Sequence, residues 1–176
     1  GVYAQRYNPS GVPQGGEFRV NSFTTGDQGG WSLDRFTISA SMDAAGNFAI
    51  GWRSFDQDGS GYGAYAQRYS AGGALRGSEF RLNTSTADDQ LNPAIALDAD
   101  GDLVAVWTSS DTRTSTLFPG FGSTVQVRRF NAAGVPQGSE SRANSYTGFQ
   151  EVPAVAADAD GDFVVVWQSW GVDESE

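Results

Sequence analysis

Residues 7–21 read YNPSGVPQGGEFRVN, residues 69–83 read YSAGGALRGSEFRLN, and residues 130–144 read FNAAGVPQGSESRAN. The three stretches are equal in length and align without a gap. Gly11, Gly73 and Gly134 coincide, as do Gly15, Gly77 and Gly138. Glu17, Glu79 and Glu140 fall together, and so do Arg19, Arg81 and Arg142. A second unit recurs between them: ISASMDAAGNFAIGW ending at Trp52, PAIALDADGDLVAVW ending at Trp107, and PAVAADADGDFVVVW ending at Trp167. The period is about 60 residues, too long for a simple solenoid coil and right for a four-stranded blade with generous loops.

Each unit resolves into four strands. Pro93 to Asp98 alternates apolar and small residues, Asp100-Gly101 is a two-residue hairpin signal, and Asp102 to Trp107 returns as a β-branched and aromatic run. These are strands a and b. Val125 to Phe130 is strand c, residues 131–138 turn on Gly134 and Pro136, and Glu140 to Asn144 is strand d. No segment carries sustained helical periodicity with caps, so the fold class is all-β. The chain then divides as one repeat domain over 1–176. Strands c–d occupy 1–21, a second blade 36–83, a third blade 93–144, and strands a–b 153–176.

The expected architecture is a β-propeller of about three four-stranded blades, completed to a larger ring by oligomerisation or by a longer parent chain. Three blades alone would leave apolar faces open, whereas propellers usually close with four to eight. Self-association is therefore expected, for example two chains giving six blades. Gly1 and Glu176 are expected within loop-closing distance, in one chain or across a neighbour. The alternative is a window cut from a longer array.

Composition narrows the chemistry. The 176 residues are 39% hydrophobic, enough for a core, and carry a net charge of −10 with 11 basic residues, every one of them Arg. Cys, His and Lys are absent. That removes disulfides, thiol nucleophiles, imidazole bases, zinc–thiolate sites, Schiff bases and P-loop lysines. The acidic balance works against nucleic acid and anionic membranes as partners. The longest apolar run, Phe163 to Trp167, is far too short for a membrane span, so no membrane insertion is expected.

At GVYAQRY, GSEFRLN and DADGDFVVVWQS the chain resembles the tandem repeats of large secreted bacterial proteins, often associated with hemolysin-type calcium-binding proteins. The resemblance covers nearly the whole sequence. It implies a secreted or cell-surface bacterial location, and it lends no catalytic residues. The a–b hairpins are similar to those of NHL-type propeller blades, which bears on architecture and not on ligand. The GGxGxD nonapeptide of true hemolysin-type repeats is absent.

Several residues stand out as candidate sites. Asp98, Asp100, Asp102 and Asp158, Asp160, Asp162 have the alternate spacing that begins many calcium loops, as do Asp56, Asp58 and Ser60 in a Gly-rich b–c loop. No set supplies a bidentate Glu to finish it. The competing reading is that Asp-Gly simply forms the hairpin turn. No cofactor is required by this composition, and Ca2+ is the one these loops would take.

Trp52, Trp107 and Trp167 recur at one blade position and read as core. Trp31, Trp170, Tyr62, Tyr146, Phe118 and Phe121 do not recur, fall in loops, and are candidates for contact with a sugar, a peptide or another subunit. The repeated Arg6, Arg68, Arg129 and Glu17, Glu79, Glu140 are open to two readings. One is a ligand pocket per blade, with Arg68 and Glu79 as its members, and the other is an ion pair within each c–d hairpin. The expectation from all this is a non-catalytic extracellular propeller, a scaffold or adhesion module with surface calcium, and not an enzyme. The alternatives are a carbohydrate-binding, lectin-like propeller and, behind it, a carboxylate-based glycosidase.

Overall fold

The structure is a computed structural model that describes residues 1–29, 38–110, 122–146 and 148–170. Among these residues there are strands and turns but no helix. The strands are β1 (Tyr3–Ala4), β2 (Phe18–Arg19), β3 (Ser39–Met42), β4 (Phe48–Phe55), β5 (Tyr62–Tyr69), β6 (Phe80–Arg81), β7 (Gln90–Leu97), β8 (Leu103–Ser110), β9 (Ser123–Phe130), β10 (Ser141–Arg142), β11 (Phe149–Ala157) and β12 (Phe163–Trp170). They form four antiparallel sheets: β1-β2, then β3-β4-β5-β6, then β7-β8-β9-β10, then β11-β12.

Alternation along the strands gives each full sheet two different apolar faces. On the second sheet, Phe48, Ile50, Trp52, Tyr65 and Tyr69 pack with Val2 and Val20 of the first. Its other face carries the small residues Ala49, Ala64 and Ala66 with Leu82. Against that small face lie Ile95, Leu97, Leu103, Trp107 and Phe130 of the third sheet. Large side chains entering a surface of alanines bring the sheets close, and at Gly51 an added Cβ would come within 3.2 Å of Ile95. Each of these buried aromatic or aliphatic side chains contributes roughly 1.5–3 kcal/mol. The same device recurs between sheets: Phe18 meets Tyr69 at 5.3 Å and Phe80 meets Phe130 at 5.4 Å, both tilted. Farther along, β11 rests on β7, β8 and β9.

The turns follow one plan and differ from a two-residue hairpin. Asp98 N–H donates to Asp102 O at 3.1 Å and Gly101 N–H to Asp98 O at 3.3 Å, leaving a three-residue loop, 99–101. Gly101 sits at φ +85, the left-handed residue that closes a type I turn of this length. The Asp98 side chain explains the extra residue, because its Oδ1 accepts from Asp100 N and Asp102 N at 3.0 and 2.9 Å. Asp43 and Asp158 repeat the pattern, and Asn8 and Asn131 reproduce it in the c–d turns.

A further repeat holds strand d. Asn21, Asn83 and Asn144 each accept from a strand-c N–H, of Val2, Ala64 and Val125, at 2.8–2.9 Å. Each also donates to the carbonyl two residues on, at 2.7 Å. A buried amide that satisfies both a donor and an acceptor of the main chain costs little to bury and much to lose.

Strand limits depart from the sequence reading at several ends: β8 runs on to Ser110, β9 starts at Ser123 and β11 starts at Phe149. β7 begins at Gln90 rather than at Pro93, because a bulge between Leu91 and Ala94 accommodates the proline inside the strand. Strand d shortens to Ser141–Arg142. The first and last sheets stay separate, so among the described residues β1–β2 does not complete β11–β12 within the chain. Glu176, and with it the expected meeting of the two ends, lies outside the described residues.

Candidate functional site

The ends of β4, β5, β7 and β11 converge on an acidic rim. Tyr62, first residue of β5, is held on three sides. Its N–H donates to Asp89 Oδ1 at 2.9 Å, its hydroxyl donates to Asp27 Oδ2 at 3.3 Å, and the Arg53 guanidinium lies 4.4 Å above its ring. Phe55 meets the ring edge-on at 5.1 Å. Burial raises the Tyr62 hydroxyl pKa above its ordinary value, with the negative charge of Asp27 pushing the same way.

Beside this cluster a cavity of ≈ 460 Å³ opens between the third and fourth sheets. Asp88, Asp89 and Glu151 bring three half-buried carboxylates to it, Thr108, Ser110 and Ser123 bring hydroxyls, and Leu91 and Phe149 form its apolar part. The backbone around it is bent out of ordinary strand geometry. Asp88, Asn92 and Val152 have φ of 60, 51 and 49, and a second bulge lies between Glu151 and Ala154. A β-branched residue in the left-handed region is costly, of order 1–3 kcal/mol, and such strain with a bulge is a means of re-aiming the neighbouring side chain. Here that neighbour is Glu151. Ser123 fixes the wall opposite: its Oγ donates to Gln150 O at 2.8 Å and accepts from Gln150 N at 2.7 Å.

Of the residues expected at a site, Tyr62 adjoins this region through Asp89, and Trp170 reaches it only through its ladder partner Phe149. Both stand at strand ends rather than in loops. Trp170 is exposed and pairs with Phe149, which lines the cavity. Tyr146 is exposed in the connection leading to β11. Trp31, Phe118 and Phe121 lie outside the described residues.

Arg68 and Glu79 are placed elsewhere and point apart. Arg68 is buried and reaches the third sheet, donating from Nη2 to Gly101 O at 3.1 Å and from Nη1 to Ala132 O. Burial lowers its pKa. Glu79 reaches the first sheet, accepting from Ser22 N at 2.7 Å and from Ser22 Oγ at 3.1 Å, and it also accepts from Gln57 Nε2. These are ties between neighbouring sheets. Arg6 and Glu140 repeat them, through Ala71 O at 2.7 Å and Thr84 N at 2.8 Å.

The carboxylates singled out for calcium behave as turn-formers. Asp98 and Asp158 cap their own loops, Asp102 accepts from Ala132 N at 2.7 Å, and Asp100 and Asp160 donate main-chain N–H groups to the capping carboxylates. In the b–c loop Ser60 N–H donates to Asp58 Oδ1 at 3.4 Å, while Asp58 Oδ2 turns inward to Arg81 Nη1 at 3.6 Å. Asp56 adopts φ 59 to close that loop, its N–H donating to Gly61 O. Asp58 adds to the burial that pushes the Tyr65 hydroxyl up to about 12. Among the described residues no three acidic side chains converge as a metal-holding group, and no helix is long and apolar enough to cross a membrane.

Asp88, Asp89 and Glu151 were not singled out by motif. The signal that could have found them is departure from the repeat: aligned on the buried Gln90 and Gln150, Asp89 stands opposite Phe149 and Glu151 opposite Leu91.

No family model and no curated protein matches the sequence. Among solved structures the chain is similar to an endo-arabinase from Bacteroides thetaiotaomicron, with 18% identity and a TM-score of 0.48. The match covers 77% of this chain and 51% of that one, so it spans about half the length of the solved protein. The expectation of a non-catalytic scaffold or adhesion module, and of a chain that is not an enzyme, stands against this likeness to an endo-arabinase and is not carried further. The likeness transfers neither substrate nor residues.

Proposed function

We propose that the four sheets are consecutive blades of a β-propeller and that the cavity between the third and fourth takes a carbohydrate. Asp89 and Glu151 then serve as the carboxylate pair for cleavage of a glycosidic bond. The observation that carries this reading is the cavity itself: three half-buried carboxylates and the Thr108 and Ser110 hydroxyls set around a small apolar wall, with Tyr62 tied to it through Asp89. A sugar presents the complementary surface, hydroxyls that donate to carboxylates and C–H faces that lie on aromatic rings. With no His, Cys or Lys in the chain, a carboxylate pair is the acid–base equipment available, and it suffices for glycoside hydrolysis.

Asp89 has one oxygen engaged by the Tyr62 N–H, which fixes the carboxylate's orientation, and it takes the role of base or nucleophile. Glu151, carried on the bulged strand, is the acid. The test is release of reducing ends from a panel of soluble polysaccharides, with binding followed in parallel. Glu151→Gln is expected to lower release on the order of a hundredfold or more while binding persists, the usual scale for losing a general acid. Absence of both binding and release across the panel, or release unchanged in Glu151→Gln and Asp89→Asn, would overturn it.

A further inference from the structure

The two ends of the sheet stack are complementary, and we propose that a second copy of this chain joins them head to tail, β12 of one copy pairing with β1 of the other. This does not depend on what the cavity binds.

The residues of β1 and its approach, GVYAQRY at 1–7, match GAYAQRY at 63–69 in all but one position. The latter stretch pairs with β4 through Phe48↔Tyr69, Gly51↔Ala66 and Trp52↔Tyr65. β9 pairs with β8 in the same register, Leu103↔Phe130 and Trp107↔Gln126. β12 is the third copy of β4 and β8, yet one of its edges pairs with β11 and the other has no strand partner among the described residues. Carrying the internal register across gives Phe163↔Tyr7, Val166↔Ala4 and Trp167↔Tyr3 between copies.

Exposure falls where this pairing would bury it. Tyr3 and Tyr7 are each 62% exposed, whereas their counterparts Tyr65 and Tyr69 are 5% and 2%. Trp167 is 36% exposed, against 0% for Trp52 and Trp107. The stacked Phe48–Tyr69 pair, 4.9 Å and 12° between planes, is the arrangement that Phe163 and Tyr7 of the other copy would reproduce.

An apolar slot already waits for the incoming sheet. A cavity of ≈ 510 Å³ lies between the first and second sheets, against Ala40, Met42, Phe48 and Ile50. Met42 is exposed there although its counterpart Leu97 is buried. The outward residues of β12, Val164 and Val166, are exposed and stand where the second sheet has Ala49 and Gly51. Sizes are exchanged to match. Gly51 meets Ile95 inside the chain, while Val166 would meet Ala40, the counterpart of Ile95.

The ties between sheets tell the same story. Arg6 and Arg68 each donate to the second residue of the next c–d turn, Ala71 and Ala132. Arg129, the third of the series, is exposed, and its guanidinium makes no hydrogen bond or ion pair among the described residues. Its counterpart acceptor is Pro9 O of a second copy. In the reverse direction Glu79 and Glu140 accept from Ser22 N and Thr84 N. Glu17 is exposed and accepts from nothing among the described residues, and its counterpart donor is Ser145 N of a second copy. Both vacant ties belong to the one junction that the strand register defines. A head-to-tail contact of this kind either closes or propagates. Two copies closing would place about six blades in the ring, within the usual range.

The chain has no Cys, so a cysteine pair is a clean reporter. Ala4→Cys together with Val166→Cys places two thiols at directly opposed positions of the proposed ladder, within disulfide reach. Under mild oxidation this variant is expected to yield a covalent two-chain species. Ala4→Cys with Val165→Cys puts the thiols on opposite faces and is expected to give none. The unmodified chain is expected to show the solution mass of two chains, which keeps the proposal testable if a variant folds poorly. A one-chain mass at every concentration, a mass above two chains, a crosslink confined within one chain, or equal crosslinking off register would overturn it.

Discussion

Arg68, on strand β5 of the second sheet, donates a hydrogen bond from Nη2 to the carbonyl oxygen of Gly101, in the first turn of the third, at 3.1 Å. The contact joins two units that are also tied by Arg68 Nη1 to Ala132 O, by Thr84 N to Glu140 Oε2, and by the N–H groups of Ile95 and Leu97 to the Ser39 and Ser41 hydroxyls. A guanidinium can do this because it offers several donors in one plane and tolerates partial burial better than an ammonium.

Removing that tie has a definite cost. Arg68→Ala leaves the carbonyls of Gly101 and Ala132 without their donor in a buried place and is expected to lower stability by about 2–4 kcal/mol. Arg129→Ala, in a single isolated chain, is expected to cost under about 0.5 kcal/mol, as for a surface change. Urea unfolding of both variants under conditions that keep the chain monomeric checks the difference, and equal losses would show that Arg68 acts by bulk alone.

The Asn repeat is a second lever. Asn83→Ala strands the Ala64 N–H and the Ser85 carbonyl, and is expected to cost about 2–3 kcal/mol. Asn83→Asp retains the acceptor toward Ala64 but not the donor toward Ser85, so it should fall between wild type and Asn83→Ala near neutral pH. A thermal melt series reads the order directly.

Alkaline pH provides a third. The Tyr65 and Tyr69 hydroxyls are pushed up to about 12, chiefly by burial, Tyr65 also by Asp58 and Tyr69 by Glu79. The folded state therefore resists their ionisation while the unfolded chain ionises near 10. The sign follows from linkage: stability is full below about pH 10 and falls as pH rises from 10 through 12. Melting temperatures across that window, with tyrosinate absorbance recorded on the folded protein, should show the decline. An unchanged melting temperature to pH 12 would place these rings in water.

Much of the fold was legible because repetition makes a pattern visible three times over. The aligned Gly, Glu and Arg positions, and the alternation in Pro93 to Trp107, are enough for an all-β chain of antiparallel sheets. The turn at 98–102 is one residue longer than the Asp100-Gly101 dipeptide suggests, because the Asp98 side chain caps it. β7 is longer than the sequence suggests, because Pro93 reads as a strand boundary and the bulge that absorbs it leaves no mark in sequence. The repeated Arg and Glu are plain in the sequence, but their targets are not. Whether Arg68 meets Glu79 or the next sheet depends on how one unit is set against another, and alternation within a unit is silent on that.

The cavity was the least legible part. Asp88, Asp89 and Glu151 belong to no motif, and they come together because two bulged strands from successive units lie side by side. They stand where the repeat breaks, and a repeat makes only its shared positions conspicuous.

The most direct test of the carbohydrate reading locates the site rather than the activity. Oligosaccharides are titrated into isotopically labelled protein while main-chain amide resonances are followed. The account predicts that shifts concentrate on Tyr62, Asp89, Asn92, Ser123 and Glu151, and that Glu151→Gln alters their pattern while distant amides such as Gly11 stay in place. Shifts gathered instead around Arg68 and Ala132, or along Ala4 and Met42, would contradict it.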